Sequence, residues 1–206
     1  MSLVEQISIG LDDLGLGDHA DKAEPLAHYL ELIARWNRVT NLTAIRKPED
    51  MVSLHLLDSL SVSPHVNGTR ILDVGSGAGL PGIPLALFQP DKAFILLDSN
   101  GKKTRFMTQA AIELGLGNVT VLQQRIEDCT EPFDQVISRA FASLDDFVSL
   151  CMPRVKIGGS LLAMKGPSEI DQADRIPAAC VHELQVPGLD RARYLVVVTR
   201  SEGVNS

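Results

Sequence analysis

Asp73, Gly75, Gly77, Gly79 and Asp98 are the residues whose types and spacing point most directly to chemistry. The run Arg70-Ile-Leu-Asp-Val-Gly-Ser-Gly-Ala-Gly-Leu-Pro-Gly82 reads as a short buried strand entering a glycine-dense turn. Glycines in such a turn let the backbone approach a ligand without Cβ clashes. Phe94-Ile-Leu-Leu-Asp98 reads as a second apolar strand that ends in a carboxylate. An acid about 20 residues beyond a glycine turn is placed to accept hydrogen bonds from ribose hydroxyls. The pattern describes a nucleotide pocket.

The kind of nucleotide follows from the turn. Gly77-Ala-Gly79-Leu-Pro-Gly82 satisfies G-x-G-x-x-G, a weak match that would suggest NAD, and Asp98 suits NAD and adenosine alike. Three details favour a nucleoside without a pyrophosphate. Gly75 already follows Val74, so the register is G-x-G-x-G. Asp73 puts a carboxylate at the strand end, unwelcome beside a pyrophosphate but useful beside a cation. Pro81 and Pro84 remove amide donors from the turn where phosphate would need them. S-adenosylmethionine fits: its sulfonium is positive, its ribose is a diol, and it has no phosphate. Glycines as mere turn formers explain Gly68 or Gly158-Gly159, but not four glycines within eight residues after a strand.

The elements that must position these residues are legible along the chain. Residues 1 to 66 read as a helical N-terminal extension. Leu26, Leu30, Ile33 and Trp36 recur at helical spacing, Asn41-Leu-Thr43 interrupts, and Val52, His55, Leu56 and Leu60 stripe a second helix. From Arg70 apolar runs alternate with amphipathic segments, at 71–74, 83–88, 94–97, 103–114, 119–122, 136–138, 144–151 and 160–164. That βαβα series predicts an α/β domain over residues 67–206, with a mostly parallel sheet covered by helices on both faces. The tail reads as two antiparallel strands, Leu184–Val186 and Tyr194–Val198, joined through Pro187-Gly188.

Bulk properties narrow the classes. A 206-residue chain that is 45% hydrophobic can bury a sizeable core, and aromatics at 4% leave that core to Leu, Val, Ile and Ala. The net charge of −7 argues against broad nonspecific nucleic-acid binding, which rests on phosphate neutralisation, though it permits a local basic patch. No apolar run reaches the roughly 20 residues of a membrane span. The first residues lack a signal-peptide pattern, so a cytoplasmic location is expected. Cys129, Cys151 and Cys180 show no metal-ligand spacing and are expected to be buried thiols, with no metal bound.

The likeness to a family extends well beyond the loop. Leu72-Asp-Val-Gly-Ser-Gly-Ala-Gly-Leu-Pro-Gly-Ile-Pro84 resembles the RsmG family of 16S rRNA guanine-N7 methyltransferases, also called glucose-inhibited division protein B. So do Trp36-Asn-Arg-Val-Thr-Asn-Leu-Thr43, His55-Leu-Leu-Asp-Ser-Leu60, Leu97-Asp-Ser-Asn-Gly-Lys-Lys103, Ile137-Ser-Arg-Ala-Phe-Ala142 and Lys165-Gly166. The match is collinear over nearly the whole chain. It implies a Rossmann-like class I methyltransferase fold with a seven-stranded sheet and a helical N-terminal extension. It also implies methylation of one guanosine in the decoding-region loop of 16S rRNA. In the family the cofactor is held by residues that correspond here to Gly75, Leu80, Ile126, Glu127 and Arg139. Asp73, Gly77 and Asp98 join them from the residue argument alone.

Guanine N7 carries a lone pair and no proton, so no general base is expected, and Arg139 and Lys165 are the only candidate catalytic residues. Arg139, at the end of the fourth expected strand, reads as a contact to the methionine carboxylate or to an RNA phosphate; the plainer reading is a surface arginine. Lys165 would meet phosphate or the guanine edge, or simply end a strand in solvent. Phe141 would stack on a splayed base or fill the core. Arg35, Arg38, Arg46, Lys47, Lys102, Lys103 and Arg105 are candidate phosphate contacts, although for any one of them an ordinary solvated helix face is the stronger reading. His55 reads as a hydrogen-bonded core histidine oriented by Asp58, and Asn37 and Asn41 as braces of a turn or groups approaching the substrate. The expected partner is 16S rRNA within the small subunit or an assembly intermediate, the expected state a monomer off the membrane. An NAD-dependent oxidoreductase and a noncatalytic ribosome-assembly binder are the alternatives.

Overall fold

The computed structural model describes residues 1–139 and 143–202. Helix α1 (Leu3–Asp13) opens on a capping box, with Ser2 Oγ accepting from the Glu5 N–H and the Glu5 carboxylate accepting from the Ser2 N–H. Helix α2 (Ala23–Thr40) buries Leu26, Leu30 and Ile33 on one stripe and ends at Asn41, whose φ of +46° is left-handed. The segment after it is tied back to α2. Asn37 Nδ2 donates to Thr43 O (2.8 Å) and Asn37 Oδ1 accepts from the Thr43 N–H (3.1 Å). A second helical run follows as α3 (Pro48–Met51), a π-helical turn (Val52–Leu57) and α4 (Asp58–Leu60).

The sheet begins with β1 (Arg70–Val74), followed by α5 (Gly82–Phe88), β2 (Ala93–Asp98), α6 (Gly101–Glu113), β3 (Val119–Gln123) and β4 (Phe133–Ser138). Then come α7 (Leu144–Cys151), β5 (Val155–Lys165), β6 (Ala179–Leu184) and β7 (Arg193–Thr199). The seven strands lie in the order β3-β2-β1-β4-β5-β7-β6. The first five are parallel, and β7 runs antiparallel to both β5 and β6. The expected α/β class and the antiparallel tail are both present. One strand is displaced from its expected place: β6 spans Ala179–Leu184, not Leu184–Val186. It is an outer strand exposed along most of its length, so Cys180-Val-His-Glu lacks the apolar run that marks inner strands. Val186 lies past it, buried by packing rather than by sheet pairing.

Alternation along the strands divides the core between two faces. Ile71, Phe94, Leu96, Ile137 and Leu162 point to one face, together with Tyr29, Leu30 and Ile33 of α2, Leu56 of the π turn, and Phe106 of α6. Leu72, Ile95, Val136 and Leu161 point to the other, with Leu144 and Phe147 of α7. The N-terminal helices therefore share a hydrophobic core with the sheet. Cys129 and Cys151 are buried as expected, but Cys180 is exposed on the edge strand β6. Among the described residues no helix is long and apolar enough to cross a membrane.

Strand order reverses between β1 and β4: the chain builds outward from β1 through β2 to β3, then returns to β4 on its other side. In such sheets ligands bind outside the carboxyl ends of the strands at this reversal. Across that edge the strands present Asp98 (β2), Gly75 (after β1), Arg139 (after β4), Lys165 (β5) and Arg193 (β7) in spatial order.

Candidate functional site

Two clefts share this edge. Gly75, Asp98, Ile126 and Glu127 line the first, of about 230 Å³, together with Val74 and Arg125. Gly75 holds a φ of +69°, and a Cβ there would meet no protein atom within 4 Å, so its open side faces the cleft. Asp98 is buried; its Oδ2 accepts from the Gly77 N–H (3.0 Å) and its Oδ1 from the Asn100 N–H (2.9 Å). Lys103 Nζ stands 3.7 Å from Asp98 Oδ2. Ile126 and Glu127 sit on the short 3-10 turn after β3. Leu80 is placed differently: its side chain packs in the core beneath the turn, and its peptide bond to Pro81 is cis.

Most amides of the glycine turn are committed within the protein. Gly75 and Ser76 donate to Leu97 O, Gly79 and Leu80 to Ser76 O, Ile83 to Gly79 O, and Leu85 to Pro81 O. Gly77 donates to Asp98, Gly82 donates to Asp73 Oδ2 (2.9 Å), and Pro81 and Pro84 have no N–H. A dinucleotide pyrophosphate is normally bound by free amides at a helix N-terminus. The donors named here are already spent, which disfavours the NAD reading on geometry.

Asp73 lies beneath the turn and is fully buried. Its Oδ1 has no hydrogen-bond partner. Burial raises its pKa to about 7, against the opposing pulls of the Gly82 N–H, the Ser76 hydroxyl and the Arg139 charge, while Asp98 raises it. The carboxyl is fully buried and lines neither cleft, so it acts on a cation bound above the turn through its charge and not by contact. Helix α2 supports the turn from below: Tyr29 Oη donates to Ala78 O (2.5 Å), and a Cβ on Gly79 would come within 3.4 Å of that hydroxyl.

The second cleft, of about 360 Å³, is lined by Leu54, Asp58, Arg139, Lys165, Glu169 and Arg193 among others. Asp58 is buried and bridges two arginines, Oδ2 to Arg139 Nη1 (3.3 Å) and Oδ1 to Arg193 Nε (3.1 Å). Arg139 Nη1 also donates to Leu54 O (3.0 Å). Lys165 is buried at the end of β5 and pairs with Glu169 Oε1 (2.8 Å). Glu169 Oε2 accepts from the Gly166 N–H (3.3 Å).

His55 is the expected core histidine, but Asp58 does not orient it. Its Nδ1 lies 2.9 Å from Leu54 O and its Nε2 2.9 Å from Thr43 Oγ1, so the ring donates to the carbonyl and accepts from the hydroxyl. Burial, with the nearby Arg139 charge, lowers its pKa to about 4 and keeps it neutral. Asp58 is consumed by the arginines instead. Phe141 lies outside the described residues. Of the candidate phosphate contacts, Arg35 pairs with Glu113 (3.5 Å), Arg46 donates to Asn37 O, and Arg105 Nε donates to Gly101 O. Arg38, Lys47 and Lys102 are exposed. Asn37 is a brace and Asn41 a helix terminus. Among the described residues no group of His, Cys, Asp and Glu could hold a metal.

The structure thus gathers Gly75, Asp98, Ile126 and Glu127 in one cleft and Arg139 and Lys165 in the other, with Asp73 and Gly77 at the turn of the first. Glu169 and Arg193 escaped the sequence reading. The four-residue spacing of Lys165 and Glu169 is the one signal that could have found the former; Arg193 is brought in only by the return of β7.

Comparison with known proteins follows the same direction. The family model described as rRNA small subunit methyltransferase G matches residues 22–195. The chain is similar to the ribosomal RNA small subunit methyltransferase G of Methylococcus capsulatus, with 49% identity over 191 residues, 90% of this chain and 93% of that protein. It is also similar to that of Marinobacter nauticus, with 46% identity over 203 residues, 96% and 95% of the two chains. Among solved structures, precorrin-6y C5,15-methyltransferase from Geobacter metallireducens superposes with a TM-score of 0.55 at 13% identity, over 68% of this chain and 85% of that one. The last likeness is one of fold.

Proposed function

The chain belongs to the rRNA small subunit methyltransferase G family, and we propose that it transfers a methyl group from S-adenosylmethionine to N7 of one guanosine in the decoding-region loop of 16S rRNA. The observation that supports the donor assignment is a glycine turn most of whose amides are spent internally, above a buried carboxyl. That combination suits a cation and disfavours a pyrophosphate.

Bound in the first cleft, the donor would supply a methyl carbon already activated by cationic sulfur. Gly75 would leave room for its close approach, Asp98 would accept from the ribose hydroxyls, and Ile126 and Glu127 would flank the adenine. Asp98 already holds Oδ2 against the turn through Gly77, so its carboxylate is oriented before any ligand arrives. Asp73, beneath the turn, would act on the positive end through its charge, and Arg139 would stand between donor and target. Guanine N7 needs no deprotonation. The protein's task is to align lone pair, carbon and sulfur, a contribution of up to about 7–11 kcal/mol in well-oriented reactions. Neutral His55, with both ring nitrogens engaged, has no part to play as a base.

The RNA partner would be met as folded small subunit or assembly intermediate by a cytoplasmic monomer. A chain of net charge −7 is poorly suited to grip free RNA. Titration calorimetry should show binding of S-adenosylmethionine or its demethylated product, and mass spectrometry of 16S RNA should show N7-methylguanosine only when the gene is present. Binding of a nicotinamide dinucleotide in their place would overturn the donor assignment. Donor binding without the modified base would favour a noncatalytic assembly factor. Arg139→Ala should impair donor binding or turnover; full activity would remove it from the site.

A further inference from the structure

The second cleft contains two carboxylates in very different circumstances. Asp58 has both oxygens engaged by arginines, and its side chain is only 4% exposed. It is a structural anion, available to nothing else. Glu169 is over a third exposed and is tethered from one side only, by Lys165 Nζ to Oε1 and the Gly166 N–H to Oε2. The second of these contacts is long at 3.3 Å. Each carboxylate oxygen accepts more than one hydrogen bond, so Glu169 keeps acceptor capacity toward the cleft. Burial would raise its pKa, but the bonds from Lys165 and Gly166 prevail and keep the carboxyl below its ordinary range. Glu169 also belongs to a fixed element, the third residue of the 3-10 helix Pro167–Arg175, bonded back to the Gly166 N–H that precedes that helix.

Its position along the edge suits a target base. Gly75 follows β1, and Lys165 ends β5, two strands away across β4. Adjacent strands stand about 4.8 Å apart, which places the Lys165–Glu169 pair roughly 10 Å from the donor cleft. A purine spanning that gap would present N7 to the donor and its far edge to the pair. Guanine and adenine differ on that far edge. Guanine offers two parallel donors, N1–H and N2–H, which match a carboxylate; adenine offers an acceptor at N1.

We propose that Glu169 is the specificity-determining acceptor for the target guanine, taking hydrogen bonds from N1–H and N2–H, with Lys165 holding it in place. The inference rests on the guanine-N7 reading above. It adds a contribution to the reaction itself. Methylation at N7 leaves the purine cationic and makes N1–H a stronger donor, so a carboxylate at N1 and N2 binds the transition state more tightly than the substrate.

The test pairs a protein change with a substrate change. Small subunits lacking the modification carry either guanosine or inosine at the target, inosine having N7 and N1–H but no N2 amino group. Methyl transfer from labelled S-adenosylmethionine is measured for wild type and Glu169→Gln, with affinity for the demethylated product as a check on the fold. Wild type should favour guanosine over inosine by about tenfold to a hundredfold in kcat/KM, the scale of one charge-assisted hydrogen bond. Glu169→Gln should lose a similar factor on guanosine and discriminate the two bases less than threefold, while binding the product within twofold of wild type. Equal use of both bases by wild type would overturn the inference without recourse to any variant. So would undiminished discrimination by Glu169→Gln. Absence of methylation at N7 of either base by wild type would overturn the guanine-N7 reading itself.

Discussion

The cleft over β1 and β2 is assembled mainly from backbone, whereas the cleft over β4, β5 and β7 is assembled from charged side chains. In the first, geometry is set by three left-handed glycines and by amides that bond to Leu97, Ser76, Asp73 and Asp98. In the second, Asp58, Arg139, Lys165, Glu169 and Arg193 come from separate segments and hold one another by ion pairs. A backbone cradle suits a ligand that never changes. A side-chain cluster suits a large partner that must be tested for fit. Under the proposed assignment, donor binding in the first cleft and target recognition in the second should be separable by mutation.

Asp58→Ala should have the largest effect. It leaves Arg139 and Arg193, each about three-quarters buried, without their shared anion. A loss of about 2–4 kcal/mol in stability is expected by denaturant titration, with turnover reduced more than donor affinity. Equal losses of both would break the separation of the clefts. Gly82→Ala comes next and should act on the donor cleft. A Cβ there would stand 2.2 Å from Leu96 Cδ2 and 2.8 Å from Asp73 Oδ2. A cost of about 1–3 kcal/mol together with lost product binding in calorimetry is the expected outcome. Binding that survives intact would show that the turn tolerates displacement.

Asp98→Ala should weaken binding of the demethylated product by about tenfold to a hundredfold, the worth of hydrogen bonds to a charged acceptor. Unchanged affinity would remove Asp98 from the site. The smallest effect concerns pH. Asp73 loses its proton as pH rises through about 7, and only the ionised form attracts a cation. Affinity for cationic S-adenosylmethionine, relative to its neutral demethylated product, should therefore rise from pH 6 to pH 8, by about threefold. Asp73→Asn should abolish the trend, and a ratio that falls with pH would contradict the placement of Asp73 near the sulfur.

The difference between the clefts is also a difference in legibility. Asp73, Gly75, Gly77 and Asp98 lie at the ends of two strands joined by the glycine turn and α5, so a local pattern exposes them. The inner strands β1, β2 and β4 each contain a short apolar run, Ile71-Leu72, Phe94–Leu97 and Val136-Ile137, that marks them locally. Glu169 and Arg193 owe their meeting to a 3-10 turn and to the return of β7, and no short-range spacing encodes that. The edge strand β6 has no apolar run to mark it because its residues face solvent. Helical spacing permits Asp58 to partner His55, but the nearby guanidiniums of Arg139 and Arg193 attract it more strongly.

The bond from Tyr29 to Ala78 bears on modularity. Helix α2 reaches under the glycine turn and shares its core, so the Rossmann-like half is not a cassette that can be cut at Thr69 and transplanted. A chimera that keeps the sheet but exchanges the first helices would inherit a turn resting on a foreign floor. Successful recombination within such a scaffold would have to carry Tyr29 and the Ala78–Gly79 pair together as one inherited block.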